Sequence, residues 1–259
     1  MEKNEYLKMY EFENDYWWYR GLHELIKSYV EVLKKEKNKK REELTIFDAG
    51  CGTGRLMELL EGCGRVEGVD YSDEAVALCG KRGLKLARKE DLNTWAPAAE
   101  TYDVIISCDV ICTTGIEDDM AAVTRFFHAL KPGGIVILNL PAFTVLRRRH
   151  DIAVSGKRRY RKKETIRQLQ EIGFMPLHAT YRLSPLFFVM LAKKYFIDPF
   201  SRGEAESDLK TLPAALNSFL LRFHRWENRR IIGGRTFPFG SSLFLVCRKE
   251  DRQGQGLFS

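Results

Sequence analysis

The stretch Asp48-Ala49-Gly50-Cys51-Gly52-Thr53-Gly54 sets three glycines at alternate positions directly after the apolar run Thr45-Ile46-Phe47. Glycines spaced this way let a backbone turn sharply and come close to a ligand. The pattern is G-x-G-x-G: Arg55 stands where a dinucleotide fingerprint needs glycine or alanine. No Lys-Ser or Lys-Thr follows, so a phosphate-binding P-loop is excluded as well. Asp48, just ahead of the first glycine, would repel a pyrophosphate but suits a ligand carrying an ammonium group. Asp70 ends the next apolar run, twenty residues after Gly50, where an acid reaches ribose hydroxyls in doubly wound nucleotide folds. Asp91, after a third short run, is placed to accept from an exocyclic adenine amine. Three acids at successive strand ends predict a nucleoside site.

These residues need a sheet to bring them together, and the pattern supplies one. Residues 1–43 read as helical, with Leu22, Leu25, Ile26, Tyr29, Val30 and Leu33 at helix spacing. From Leu44 short apolar strands alternate with helices. Strands are predicted at 45–49, 65–70, 84–88, 102–108 and 135–140, and helices at 55–60, 73–81, 117–130 and 162–171. The last of these is stopped by Gly173. Lys131-Pro132-Gly133-Gly134 reads as a helix terminator. Alternation at this spacing means a parallel sheet covered on both faces. Later come a strand near 177–183, helices at about 186–196 and 212–232, and a last strand at 241–247. The domain reading is a helical cap over 1–43, a main domain over 44–250 with a helical insertion at 184–238, and a flexible tail at 251–259.

The runs D-A-G-C-G-T-G, V-E-G-V-D, E-D-L, Y-D-V-I-I-S-C and L-K-P-G-G-I-V-I-L-N-L-P, in that order, resemble the motif set of the class I S-adenosylmethionine-dependent methyltransferases. The resemblance covers roughly residues 44–142. It implies a Rossmann-like α/β fold with a seven-stranded, mostly parallel sheet and a reversed last strand. It also implies S-adenosylmethionine as cofactor, S-adenosylhomocysteine as product, and no metal. Asp48 and Gly50 would then sit near the methionine amino end, Asp70 near the ribose, and Asp91 with Leu92 beside the adenine. Cys108 and Asp109 would face the methyl donor. The implied cofactor set further includes Cys51, Gly52, Gly54, Tyr71 and Ser72.

Tyr16-Trp17-Trp18-Tyr19-Arg20-Gly21 resembles a W-W-x-R-G stretch in a bacterial subgroup of that family. One reading is an aromatic staple holding the first helix on the sheet. The other is a lid, with Trp18 packing on a sulfonium or adenine and Arg20 clamping the donor's carboxylate. The same subgroup has a stretch like Arg149-His150-Asp151 followed by Arg158-Arg159-Tyr160, beyond the fifth strand. This is a solvated basic loop or an anion-recognising one, since planar Arg forks fit phosphates and carboxylates. Gly156-Lys157 departs from the subgroup pattern, so analogy does not settle a base. Methyl transfer needs chiefly in-line placement, and a proton acceptor only for a hydroxyl or protonated amine. His150 with Asp151 is the candidate base, with His23 and Tyr160 in reserve. Arg149, Arg158 and Arg159 are the candidate substrate contacts.

In the helix predicted over 212–232, Leu212, Leu216, Phe219, Leu220, Phe223 and Trp226 form one stripe edged by Arg222, Arg225, Arg229 and Arg230. Such a stripe is either a lid packed on the sheet or a basic amphipathic surface for an anionic membrane or an apolar substrate tail. The expected acceptor is a small molecule, lipid-linked or otherwise apolar, with an anionic group. The rivals are an RNA or protein methyltransferase and a non-catalytic cofactor-binding subunit. The tetrapeptide after the fourth strand, Cys108-Asp109-Val110-Ile111, is not of the N/D-P-P-Y/F type such a rival would favour.

The 259 residues carry a net charge of +7, with 44% hydrophobic and 30% charged side chains. That is ordinary globular composition and excludes a wholly disordered chain. Nine of the Lys and Arg residues fall between Arg147 and Lys163 against the single acid Asp151. The rest of the chain is near neutral, which argues against whole-surface nucleic-acid binding. Cysteines 51, 63, 79, 108, 112 and 247 form no C-x-x-C pair, predicting free thiols in a reducing compartment. The polar start lacks the apolar region of a secretory signal. The longest apolar run in the insertion, Leu186–Ala192, is far short of a bilayer span. The expected location is the cytoplasm, with peripheral contact at the inner membrane surface. Oligomeric state is not readable.

Overall fold

The computed structural model describes residues 3–38, 43–148, 151, 154–196, 209 and 211–250. The tail at 251–259, Arg149 and His150 lie outside the described residues. Seven strands form one sheet in the order β3-β2-β1-β4-β5-β7-β6. They are β1 (Leu44–Ala49), β2 (Gly64–Asp70), β3 (Ala87–Lys89), β4 (Tyr102–Cys108), β5 (Leu130–Pro141), β6 (Phe174–Arg182) and β7 (Ser242–Lys249). Strands β1 to β5 pair in parallel, and β7 runs antiparallel to both β5 and β6. The chain starts mid-sheet at β1, moves outward to β3, and returns to β4 on the other side. The order therefore reverses between β1 and β4, and the crevice beyond their carboxyl ends is where open α/β sheets bind ligands.

Strands buried on both faces read as near-continuous apolar runs, and β4 buries Val104, Ile105 and Ile106 completely. On one face Phe47, Ile105 and Val136 pack with Trp95, Phe126 and Leu169. Phe126 comes from α5 (Asp119–Ala129) and Leu169 from α6 (Lys162–Ile172). On the other face Ile46, Val104 and Ile137 pack against Leu22, Leu25 and Ile26 of α2 (Trp17–Asn38) and Met57 of α3 (Arg55–Leu60).

Three elements differ from the sequence expectation. The N-terminal region is two helices, α1 (Lys3–Phe12) and α2, separated by residues 13–16. Strand β5 begins at Leu130 and runs through the Pro-Gly-Gly expected to terminate the preceding helix. A register irregularity between Tyr102 and Val104 absorbs the extra residues, and Lys131 pins them by pairing with Asp103 at 3.0 Å.

The third difference concerns α8 (Ala214–Ile232), which with α7 (Ser184–Phe196) lies between β6 and β7. Its buried face is Leu221, His224, Glu227, Asn228 and Ile231, not the predicted apolar stripe. Leu216, Phe219 and Trp226 of that stripe are exposed. The polar residues turn inward because each meets a partner there. Glu227 accepts from the backbone N–H of Leu183 at 2.7 Å and of Ser184 at 3.0 Å, at the start of α7. Asn228 donates to Gly21 O at 2.7 Å. A buried polar group that finds its hydrogen bonds is tolerated, and apolar periodicity alone does not reveal it.

Candidate active site

The glycine loop turns from β1 into α3 through Gly50, Gly52 and Gly54, all at positive φ (86°, 54° and 84°), where a side chain is strained. A Cβ on Gly50 would lie 2.3 Å from Val110, and one on Gly54 would lie 2.4 Å from Leu84. Those two glycines serve packing as well as the turn. Gly52 meets only Met9 of α1, whose sulfur lies 3.1 Å from where a Cβ would be.

The loop's amides are largely committed to the protein. Gly50 and Cys51 donate to Val69 O at 2.9 and 2.8 Å, Gly54 to Cys51 O at 3.0 Å, and Gly52 to Asp70 Oδ2 at 3.0 Å. This loop is therefore no cradle for an anion. What converges on it is negative charge. Burial first, then Asp70 and Glu13, push the Asp48 carboxyl up to about 7. Asp70 also accepts from Ser72 N at 3.0 Å and from the Tyr6 hydroxyl at 3.1 Å. Glu13, just beyond α1, hydrogen-bonds to the Thr53 hydroxyl and ion-pairs with Arg82 at 2.6 Å, with both side chains buried. Burial raises the Glu13 carboxyl against the opposing pull of Thr53 and Arg82. A site of acceptors and acids suits a ligand that presents ammonium, sulfonium or hydroxyl groups.

At the end of β4, Asp109 adopts φ 57°. It is clamped twice to Asn139 of β5, through its N–H to Asn139 O at 2.8 Å and through Asn139 Nδ2 to its carboxylate at 2.9 Å. Burial raises Asp109 to about 6, and Asn139 and Arg182 oppose the rise. Behind Asn139 lies a buried polar chain. Arg182, fully enclosed at 0% exposure, donates to Asn139 Oδ1 at 2.7 Å and meets His224 Nε2. His224 Nδ1 lies 3.4 Å from Trp17 O. Burial and then Arg182 push His224 well below its usual range, so its imidazole is neutral.

Residues 47–138 match the family model of a methyltransferase domain. That stretch is similar to a methyltransferase domain. Solved structures agree on the fold around it. A SAM-dependent methyltransferase from Thermotoga maritima is 16% identical, covers 95% of this chain and 96% of its own, and has a TM-score of 0.55. A phosphoethanolamine N-methyltransferase from Haemonchus contortus, solved with S-adenosyl-L-methionine, is 18% identical over 81% of this chain and 49% of its own, at 0.51. The [4+2]-cyclase SpnF is 16% identical over 80% of this chain and 75% of its own, at 0.50. At such identities the likeness shows the fold alone, and SpnF is a cyclase. No curated protein matches the chain by sequence.

Within the matched stretch and around it, the predicted residues fall into three groups. Asp48, the glycine loop with Cys51, Asp70, Cys108 and Asp109 converge at the switch point. Ser72 caps α4 (Asp73–Lys81) by accepting from Ala75 N, and Leu92 is buried. Asp91 accepts from the N–H and the side-chain amide of Asn93 at 2.9 and 2.8 Å. Tyr71 is exposed, at 72%. In the W-W-x-R-G segment, Trp17 is buried with Leu183 and Leu221. Trp18 is half-buried against Tyr19 at a centroid distance of 4.9 Å. Arg20 is half-buried, and its guanidinium makes no hydrogen bond or ion pair among the described residues.

The basic loop forms the third group and is knitted to the segment after β4. Arg158 donates to Ile116 O at 3.0 Å and Glu117 O at 2.6 Å. Arg159 chelates Asp151 with both arms of its fork, at 2.9 and 3.0 Å, and donates to Ala142 O at 2.7 Å. Asp151 also accepts from Arg148 N at 2.8 Å. Tyr160 donates to Asp119 at 2.7 Å, and burial with that carboxylate holds the phenol protonated. His23 is buried with Nδ1 unpartnered, and burial lowers its pKa to about 3. Burial thus keeps the His23 imidazole neutral and the Tyr160 phenol protonated near neutrality. A cavity of about 100 Å³ opens between Thr144, Arg147, Asp151, Gly156, Lys157 and the Arg158–Arg159 pair.

Sequence reasoning missed Tyr6, Glu13, Arg82, Asn139, Arg182 and Glu227. Asn139 stood inside a quoted motif, as the one amide in an apolar strand, and that was a usable signal. The others carry no local pattern.

Proposed function

We propose that the chain transfers a methyl group from S-adenosylmethionine to a small acceptor with an anionic group on an apolar or lipid-linked body. The observation that carries the reading is the acid-lined glycine loop at the switch point of a matched methyltransferase domain, its amides spent on the protein. S-adenosylmethionine, when bound, supplies an electrophilic methyl on a sulfonium. In this reading Asp48 faces the donor's ammonium, Asp70 the ribose hydroxyls and Asp91 the adenine amine. Arg20, with no side-chain hydrogen bond or ion pair among the described residues, takes the donor's carboxylate. Gly50, Gly52 and Gly54 let the backbone come close to the donor.

Cys108 and Asp109 border the position of the transferred methyl. Asp109, with its pKa near 6, is the carboxylate placed to take a proton from a hydroxyl or ammonium acceptor. The cavity beside Arg147 and Lys157 is of a size for a phosphate or carboxylate rather than a whole substrate. Beyond it, Phe188, Phe196 and Phe219 are 57%, 75% and 66% exposed. Arg222, Arg229 and Arg230 are exposed on the same helix as Phe219. An apolar face with cationic edges suits an amphiphile or a peripheral membrane contact. Among the described residues no helix is long and apolar enough to cross a membrane.

The test is transfer of labelled methyl from S-adenosylmethionine into a host-cell extract split into organic, aqueous small-molecule and macromolecular fractions. Label in the organic phase is expected. Label in the aqueous fraction keeps the enzyme and removes the lipid. Label in macromolecules replaces the acceptor class with RNA or protein.

A further inference from the structure

Helix α1 lies across the mouth of the glycine loop, and its two ends are held very differently. At its far end the buried Glu13–Arg82 ion pair, the Glu13–Thr53 hydrogen bond and the Tyr10 ring under the Arg82 guanidinium at 4.4 Å form a firm anchor. At its near end the polar hold on Asp70 is one hydrogen bond, from the Tyr6 hydroxyl. Met9 fills the space over Gly52 between them.

We propose that Tyr6 is a latch that stands on Asp70 in place of a ribose hydroxyl, so that α1 must swing open about its Glu13 end before a nucleoside can bind. The inference rests on the assignment of Asp70 to the ribose. A carboxylate offers about four lone-pair positions. Three are occupied, by Gly52 N, Ser72 N and the Tyr6 hydroxyl. A ribose edge presents two vicinal hydroxyls and needs two positions, while the two backbone donors belong to the loop and the turn. The Tyr6 hydroxyl is the one donor that can leave without breaking either. Burial and the facing carboxylate raise the Tyr6 pKa, so the phenol stays a donor through the neutral range and the latch is opened by ligand rather than by pH. Residues 13–16, between the helices, supply the pivot.

The experiment compares the full chain with Tyr6→Phe, which keeps the ring and removes the hydroxyl. It measures S-adenosylhomocysteine binding by calorimetry and stopped flow, and amide exchange across residues 3–12. Tyr6→Phe is expected to bind about tenfold tighter, through faster association. Residues 3–12 are expected to exchange faster in the unliganded variant, and faster in the parent chain once ligand is added. Binding by Tyr6→Phe alone would also support the latch. Equal affinity with unchanged exchange overturns it. Weaker binding by the variant overturns it too, by making Tyr6 a ligand contact. Absence of binding in both chains would bring down the ribose assignment and the competition with it, an outcome distinct from equal binding.

Discussion

The two ends of the switch point are built on different principles. Around β1 and β2 the site is a single short piece of chain folded over itself, with Asp48, the glycines and Asp70 lying within 23 residues. Carboxylates there face acceptor duty, and α1 reaches in from outside with Tyr6, Met9 and the Glu13 beyond it. Around β4, β5 and β6 the polar groups are assembled over long separations: Asp109 with Asn139, Asn139 with Arg182, Arg182 with His224, and Glu227 with the start of α7. The first end is poised for a donor-rich ligand. The second is a buried scaffold that holds Asp109 and orients the lid helices. The two ends therefore differ in what a mutation should cost: binding at the first, folding at the second.

Arg182→Met tests the second half of that statement and carries the largest expected effect. Removing a buried, hydrogen-bonded cation strands Asn139 and His224 without their partner, at a cost of about 3 kcal/mol. Calorimetric unfolding should show a Tm lower by roughly 6–12 °C, with affinity for S-adenosylhomocysteine nearly unchanged. Loss of cofactor affinity without loss of stability would dissolve the distinction between the ends.

Asp70→Ala tests the first half. It should leave the fold intact and weaken S-adenosylhomocysteine binding by roughly 100-fold, since charge-assisted hydrogen bonds are worth about 1.5–3 kcal/mol each. Unchanged affinity would refute the ribose assignment.

A smaller effect follows from Asp48. With its pKa at about 7 in the unliganded chain, it must give up a proton below that pH to face the ligand's ammonium. Affinity should be flat above pH 7 and fall by up to about tenfold per unit below it. A pH series of binding isotherms with proton release measured in two buffers checks this. The folded chain holds that proton more tightly than the unfolded one. Asp48 therefore makes the unliganded fold less stable as pH rises from the ordinary carboxylate range towards 7.

The smallest stability effect is at the exposed face of α8. Phe219→Ser should change stability by less than about 0.5 kcal/mol while lowering sedimentation with anionic vesicles. A large loss of Tm would show that this face is packed in the folded chain.

How much of the site was readable follows the same division. Cofactor-end residues are close in sequence, so the G-x-G-x-G turn and the strand-end acids project directly onto local structure. The strand alternation and the helix predicted over 55–60 held because local burial patterns decide them. The polar buried face of α8 was not legible because burial there is governed by hydrogen-bond partners on β6 and α2, which amphipathic periodicity does not encode. The basic loop read as either solvated or anion-recognising, and the sequence did not show that Arg158 and Arg159 spend their forks on backbone carbonyls and on Asp151.

By itself, then, the amino-acid order determined the parallel sheet, the turn after β1, the positions of Asp48 and Asp70, and the exclusion of a phosphate cradle of the dinucleotide type. Each depends on backbone freedom or apolar spacing within a few residues. Only the tertiary structure decided that Tyr6 sits on Asp70, that Glu13 seals the loop, that Arg182 lies enclosed behind Asn139, and that α8 turns its polar side inward. Those are contacts between segments 30 to 207 residues apart. Their energy comes from desolvated groups finding one another, and no local pattern announces such a meeting.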